Sequence, residues 1–177
     1  MGKINITNKR YAEISVGINK WYKADETIIE TLQYKVDNTE SWSRYDMENG
    51  YVMSLGDAGN LSGPYYVTVN ANVIVSDSRV DGAKKIEKLG TKGTSITVVN
   101  QTGYKISVAI NEWEEDDRLT PYYTLSNKEK SSWKRSDSRG YIMALKDAGK
   151  MDGDYYVEAG SSIVITQSNV SNSRKVS

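Results

Sequence analysis

The sequence predicts an all-β protein built as two tandem antiparallel β-sandwiches, and three observations carry that prediction. Short stretches alternate apolar and polar residues with period two, the mark of a strand with one buried face. Turn-forming clusters separate these stretches at intervals of roughly ten residues, as in sandwich domains. One long pattern also occurs twice, as Trp42-x-Arg44-x-Asp46…Gly50-Tyr51-Val-Met53-Ser-Leu55-x-Asp57-Ala58-Gly59 and Trp133-x-Arg135-x-Asp137…Gly140-Tyr141-Ile-Met143-Ala-Leu145-x-Asp147-Ala148-Gly149. The second occurrence is one residue shorter between Asp and Gly, a change confined to a turn. This is the signature of an internal duplication. It places one sandwich at 1–90 and the other at 94–177, with Gly90–Thr94 as the joint. The competing arrangement is a single larger sandwich or barrel to which each copy contributes half.

Taken in order, residues 3–8 alternate as a half-buried strand, and a polar turn follows at Asn8–Tyr11. Ile14, Val16 and Ile18 then share one face. The second half repeats this opening with Ile96, Val98, Ile106, Val108 and Ile110; Asn8 and Asn100, Ile14 and Ile106, and Trp21 and Trp113 all stand 92 residues apart. Residues 22–40 and 114–131 diverge, each expected to hold a loop and one strand; β-branched residues favour a strand over a short helix at 25–33. Such divergence is where a binding surface is free to change.

The duplicated motif supplies a strand through Trp42 or Trp133, a polar turn, and a second strand from Tyr51 or Tyr141. Tyr65-Tyr66 and Tyr155-Tyr156 follow in strands, so one tyrosine of each pair is expected inward and its neighbour outward. Val73–Val75 and Ile163–Ile165 are apolar enough to be buried on both faces. The C-terminal Ser171–Ser177 reads as a frayed end.

Composition narrows function. The chain has 177 residues with 23 basic and 23 acidic side chains, a formal net charge of zero, which disfavours nucleic-acid binding by phosphate neutralisation. It has no Cys and no His, which removes disulfides, the usual zinc ligands and the ordinary near-neutral general base. No segment approaches the ~20 apolar residues of a membrane span, and a cytoplasmic protein is expected. No catalytic pattern emerges, so an enzyme is not expected, and no cofactor or metal is called for. The acidic run Glu114–Asp117 matches no calcium loop and reads as a solvated segment.

The pattern Asn-x-Thr-x-x-x-Ile-Ser-Val-x-Ile-Asn-x-Trp, then Ser-Trp-x-Arg-x-Asp, Gly-Tyr-(Val/Ile)-Met and Tyr-Tyr-Val, resembles the PUD-type domain of nematode proteins up-regulated in insulin-signalling mutants. The second half, with Ser132-Trp133-Lys134-Arg135-Ser136-Asp137-Ser138-Arg139-Gly140-Tyr141, is the closer match; the first departs at Tyr45 and 47–49. The resemblance implies β-sandwiches that pair into dimers, similar in fold to membrane-interacting aegerolysin-like proteins. It implies a non-enzymatic module with a lipid or glycan as possible ligand.

Two groups of residues are therefore singled out. Trp42, Arg44, Asp46, Tyr51, Asp137 and Tyr141 are expected to be structural, with Trp packed inside while Arg and Asp pin the following turn through an ion pair and backbone hydrogen bonds. Trp133, Lys134, Arg135 and Arg139 with Tyr122 and Tyr123 form the candidate ligand surface, where cations and aromatic rings coincide. The function expected is a non-catalytic module acting through protein partners or self-association; the alternative is a glycan- or anionic-lipid-binding sandwich.

Overall fold

The computed structural model describes residues 1–22, 24–25, 28–34, 38–113 and 122–177. They form an all-β structure without an α-helix among the described residues, and the chain divides into two compact units. Among the described residues, the first comprises those of Met1–Ile86 with Trp113, the second Glu87–Glu112 with 122–177.

The first unit contains β1 (Gly2–Asn8), β2 (Ile14–Ile18), β3 (Ile29–Leu32), β4 (Asn38–Arg44), β5 (Tyr51–Gly56), β6 (Tyr65–Val67), β7 (Asn72–Val75), β8 (Val80–Asp81) and β9 (Lys84–Lys85). They make two sheets, in the orders β4-β1-β7-β8 and β3-β2-β5-β6-β9. The second unit contains β10 (Ser95–Asn100), β11 (Ile106–Ile110), β12 (Tyr123–Leu125), β13 (Lys130–Lys134), β14 (Tyr141–Lys146), β15 (Gly153–Val157), β16 (Ser162–Ile165) and β17 (Arg174–Lys175). Its sheets run β13-β10-β16 and β12-β11-β14-β15-β17. Each unit is thus a β-sandwich-like pair of sheets. The segment at 25–33 contains the strand β3, as its β-branched residues predict.

The sheets are not wholly antiparallel. β1 runs parallel to β7 and β10 parallel to β16, because the chain enters and leaves each four- or three-stranded sheet in the same sense. β7 and β16 are also not buried on both faces. Val73, Val75, Ile163 and Ile165 are buried, but Ile74 is exposed and Val164 is only partly covered, so these strands alternate after all.

The cores follow the period-two pattern in β1 and β10, whereas β5 and β14 are covered on both faces, with Val52, Ile142 and Ala144 buried as well. Ile4 and Ile6, Ile14, Val16 and Ile18, and Tyr51, Met53 and Leu55 are buried in the first unit; Ile96, Val98, Ile106, Val108, Ile110, Met143 and Leu145 are buried in the second. All four tryptophans are buried. The Trp42 indole N–H has no acceptor among the described residues, so ring packing, not hydrogen bonding, holds it in place.

Two sequence features find their backbone causes here. Asp57 and Asp147 in the Asp-Ala-Gly turns have φ of 59° and 60°, a left-handed conformation that Asp tolerates better than most residues. A Cβ at Gly50 would overlap the Tyr66 ring, and one at Gly140 the Tyr156 ring; Gly140 also has φ 87°. The glycine of the Gly-Tyr step therefore makes room for an aromatic ring packed against backbone.

The segment 87–94 is anchored by hydrogen bonds, and the tail differs from expectation. Residues 87–94 belong to the second unit, where the buried Glu158 carboxylate accepts the backbone N–H groups of Leu89, Gly90 and Thr91 at 2.8, 2.7 and 2.9 Å. The C-terminus is not frayed. Arg174–Lys175 pair with β15, Val176 is buried, and the Ser177 hydroxyl accepts Asp154 N–H at 2.9 Å.

Candidate functional site

The duplicated motif builds one node in each unit. In the first, the buried Arg44 sends Nε to the Asn19 carbonyl at 3.1 Å and its two terminal nitrogens to the carbonyls of Ser43 and Ile18 at 2.9 and 2.6 Å. In the second, Arg135 donates to the carbonyls of Asn111, Lys134 and Ile110 at 2.7, 2.8 and 2.6 Å. A planar fork with several fixed donors fits diverging carbonyls, two at the end of β2 or β11 and one on the residue before the arginine, which lysine does not. The two asparagines complete the node: Asn19 Oδ1 accepts Val52 N–H and Asn111 Oδ1 accepts Ile142 N–H, both at 2.8 Å.

Each guanidinium also lies over a tyrosine ring, Arg44 over Tyr51 at 5.6 Å and Arg135 over Tyr141 at 5.8 Å from the centroid. The tyrosine oxygen in turn accepts the backbone N–H of Asp46 at 3.1 Å, or of Asp137 at 2.7 Å. Burial pushes the Tyr51 hydroxyl well above the ordinary phenol range and raises that of Tyr141.

The aspartates fix the turns themselves. Asp46 accepts Glu48 N–H, Asn49 N–H and the Asn49 side-chain amide at 2.9, 2.8 and 2.9 Å. Asp137 accepts Arg139 N–H at 2.8 Å and pairs with the Arg139 guanidinium at 2.9 and 2.6 Å. Burial works to raise the Asp137 carboxyl, but the bonds and charge of Arg139, with Lys88 nearby, hold it below the ordinary carboxylate range. Arg and Asp thus act on different backbone segments: Arg on strand-end carbonyls, Asp on turn N–H groups.

The candidate ligand residues are only partly assembled into a surface. Trp133 and Arg135 are buried. Arg139 is partly covered and engaged with Asp137, while Lys134 is exposed. Tyr123 is exposed and meets Trp133 edge to face at 5.8 Å. Tyr122 sits under the Lys146 ammonium at 4.6 Å. The paired tyrosines also depart from the one-in, one-out expectation. Tyr156 is fully buried beside the buried Tyr155, because its hydroxyl finds Glu158 at 3.0 Å and the Arg139 carbonyl at 3.3 Å. A polar handle with an internal acceptor can be sequestered. The acidic run 114–117 lies outside the described residues, and among the described residues no cluster of carboxylates could hold a metal ion.

Exposed apolar side chains concentrate in the first unit. Tyr11, Tyr22, Ile29, Tyr34, Tyr45, Met47 and Ile74 are exposed there, against Tyr104 and Tyr123 in the second. Tyr22 and Tyr45 are brought close by one carboxylate, since Asp25 accepts the backbone N–H groups of Trp21, Tyr22 and Tyr45 at 3.0, 3.3 and 2.8 Å. β3 is an edge strand, with Ile29 52% exposed and Tyr34 just beyond it 55% exposed. Ile18 N–H donates to the Ile28 carbonyl, so the hydrogen-bonded pairs with β2 are 18–28, 16–30 and 14–32. The N–H and C=O groups of Ile29 and Thr31 consequently point away from the sheet. The β-branched residues at 25–33 signalled a strand but not its place at an edge, which depends on distant pairing.

No family model matches the chain, and no curated protein sequence matches it. Solved structures similar in outline are the major pilin protein (T-13) of Streptococcus pyogenes serotype GAS131465 and the shaft pilin spaA of Lactobacillus rhamnosus GG. The first is 12% identical with a TM-score of 0.26, covering 99% of this chain and 98% of that one. The second is 10% identical with a TM-score of 0.25, covering 100% and 99%. Similarity at that level carries no argument about function.

Proposed function

We propose that this chain is a non-catalytic β-sandwich module that acts by protein contact, and that the contact runs along β3 of the first unit. The observation that carries this reading is the outward-facing backbone of Ile29 and Thr31 on an edge strand flanked by exposed Ile29 and Tyr34. Unpaired edges attract another strand, and proteins usually blunt them with charge or brevity. β13 is such a blunted edge, with Lys130 and Lys134 at its two ends, and β8, β9 and β17 are two residues long. β3 has four residues and one charged side chain, Glu30.

The occupant we assign is a second copy of this chain, pairing β3 with β3 about a two-fold axis. Zero formal net charge leaves no overall self-repulsion to oppose it. The absence of His and Cys from the sequence favours a non-catalytic role, and burial of Trp133 and Arg135 weighs against the anionic-lipid alternative.

Descent of the two units from one duplicated ancestor, and kinship with PUD-type domains, are part of the same proposal. What supports the duplication is that Arg44 and Arg135 use carbonyls at corresponding positions and that Asn19 and Asn111 accept corresponding N–H groups.

Sedimentation velocity across a wide concentration range tests the contact. The wild type should pass from monomer to dimer, and Ile29→Lys combined with Thr31→Pro should stay monomeric. The proline is chosen because the Thr31 N–H faces outward and donates nothing within the sheet. A wild type that stays monomeric, or a double variant that dimerises as well, contradicts the proposal.

A further inference from the structure

We infer that the loop end of the second unit holds a binding site for an uncharged, polyhydroxylated ligand, a saccharide. A cleft of about 670 Å³ opens there, lined by Gln101, Thr102, Gly103, Asn127, Lys128 and Gln167. These residues come from the β10–β11 turn, the β12–β13 turn and the chain just after β16. The volume lies within the range of small-molecule sites.

The walls are held in place before any ligand arrives. The fully buried Asn100 donates to the carbonyls of Tyr104 and Leu125 at 2.7 and 2.8 Å and accepts the Thr102 N–H and hydroxyl at 3.0 and 2.7 Å. Gly103 N–H donates to Asn127 Oδ1 at 3.0 Å, and Gln167 Nε2 donates to the Thr102 carbonyl at 2.8 Å. These bonds orient the two amides and use only half of each. Among the described residues, Asn127 Nδ2, Gln167 Oε1, the whole Gln101 amide and the Lys128 ammonium keep hydrogen-bonding capacity without a protein partner.

The first unit shows that the same place need not be open. Lys9 N–H donates to the Val75 carbonyl as Gln101 N–H does to Ile165, which puts Arg10 where Thr102 stands and Asp77 where Gln167 stands. There Arg10 Nε lies 3.6 Å from the Asp77 carboxylate and its guanidinium reaches the Asp57 carbonyl at 3.4 Å, so a long ion pair occupies the site. In the second unit a threonine and a glutamine replace that pair, and the space between the turns is left to solvent.

The chemistry of the lining selects the ligand class. Hydroxyl groups are donors and acceptors at once, and carboxamides offer both functions at fixed separation. No carboxylate lines the cleft to hold a cation, and one ammonium is a meagre charge for a multiply charged anion. Pre-set walls reduce the ordering cost that weakens most shallow sites.

The test is an amide-resolved NMR titration of the full chain with methyl glucoside, methyl mannoside, methyl galactoside and N-acetylglucosamine, and with inorganic phosphate in parallel. At least one saccharide should give saturable shifts at the side-chain amides of Gln101, Asn127 and Gln167 and at the backbone of 102–103. Thr102→Arg combined with Gln167→Asp, which installs the ion pair of the first unit, should weaken that binding at least tenfold. Gln167→Leu, an exposed change that removes the free acceptor, should do the same should the double variant not fold. Absence of a saturable shift with every saccharide overturns the inference. So do shifts that survive both variants, or phosphate binding more tightly than any saccharide.

Discussion

Arg135→Met separates a scaffold role from a ligand role for the guanidinium in the second unit. The substitution removes three donors that now reach the carbonyls of Asn111, Lys134 and Ile110. Hydrogen bonds from a charged donor contribute about 1.5 kcal/mol each at the low end, which gives roughly 4–5 kcal/mol for the set. Methionine regains about 1–2 kcal/mol through apolar burial and spares the desolvation of a guanidinium. Ile110 and Asn111 are fully buried, however, so their carbonyls have little access to replacement water. The expected net loss is about 3 kcal/mol, and for a unit of this size it lowers Tm by more than about 10 °C. Urea melts followed by tryptophan fluorescence and by circular dichroism give the number. Arg135→Lys should lose less than Arg135→Met but more than a surface change, since one ammonium can keep some of the three diverging acceptors but not all, and Lys134→Ala should stay within about 0.5 kcal/mol as an exposed control. A loss below about 1 kcal/mol for Arg135→Met, or one no larger than that of Lys134→Ala, refutes the scaffold role.

Three further outcomes follow from the same geometry. The Asp137 carboxyl is held below its unfolded value, so it stabilises the fold above pH ~4 and that contribution fades as pH falls through the lower folded value; acid melts of wild type and Asp137→Asn should converge below that pH, and a stability difference independent of pH contradicts the assignment. Burial raises the hydroxyls of Tyr51, Tyr65, Tyr141, Tyr155 and Tyr156, so stability falls as pH rises above ~10, and their ionisation at 295 nm should coincide with unfolding; full tyrosine ionisation near the ordinary phenol value with the fold intact speaks against it. Glu158→Gln turns one of the two carboxylate oxygens that share the three N–H donors into a donor, and should cost about 2–3 kcal/mol and speed amide exchange at 89–91; unchanged exchange there shows that the segment is held by something else.

Much of this architecture is legible in the residues because its causes are local. Alternation placed the strands through Ile14–Ile18 and Ile106–Ile110, and the tryptophans at their ends are buried as their apolar flanks suggest. The polar turn after Trp42 or Trp133 is likewise a local affair, since Asp46 and Asp137 bond N–H groups two or three residues on. What escapes the sequence is what depends on distant chain. Arg44 looks like a partner for Asp46 two residues away, yet the acceptors recorded for its fork lie on Ile18, Asn19 and Ser43, two of them some 25 residues upstream. The parallel pairing of β1 with β7 leaves no trace in either strand. One of Tyr155 and Tyr156 is expected outward, yet both are buried, because Glu158, two residues beyond Tyr156 on the same face, supplies an acceptor for its hydroxyl. The candidate ligand residues lose coherence for the same reason: Lys134, Arg135 and Arg139 are neighbours in sequence, but burial and pairing leave Lys134 as the exposed one.

The proposed contact stands or falls most directly on hydrogen exchange along β3. In the free chain the amides of Ile29 and Thr31 face away from the sheet and should exchange as fast as loop amides, while Glu30, paired with Val16, is protected. Pairing with a second copy closes those two amides specifically. The account predicts that exchange at Ile29 and Thr31 slows as protein concentration rises, with β12 and the turns of the second unit unchanged. Exchange at both positions that is fast and independent of concentration contradicts it.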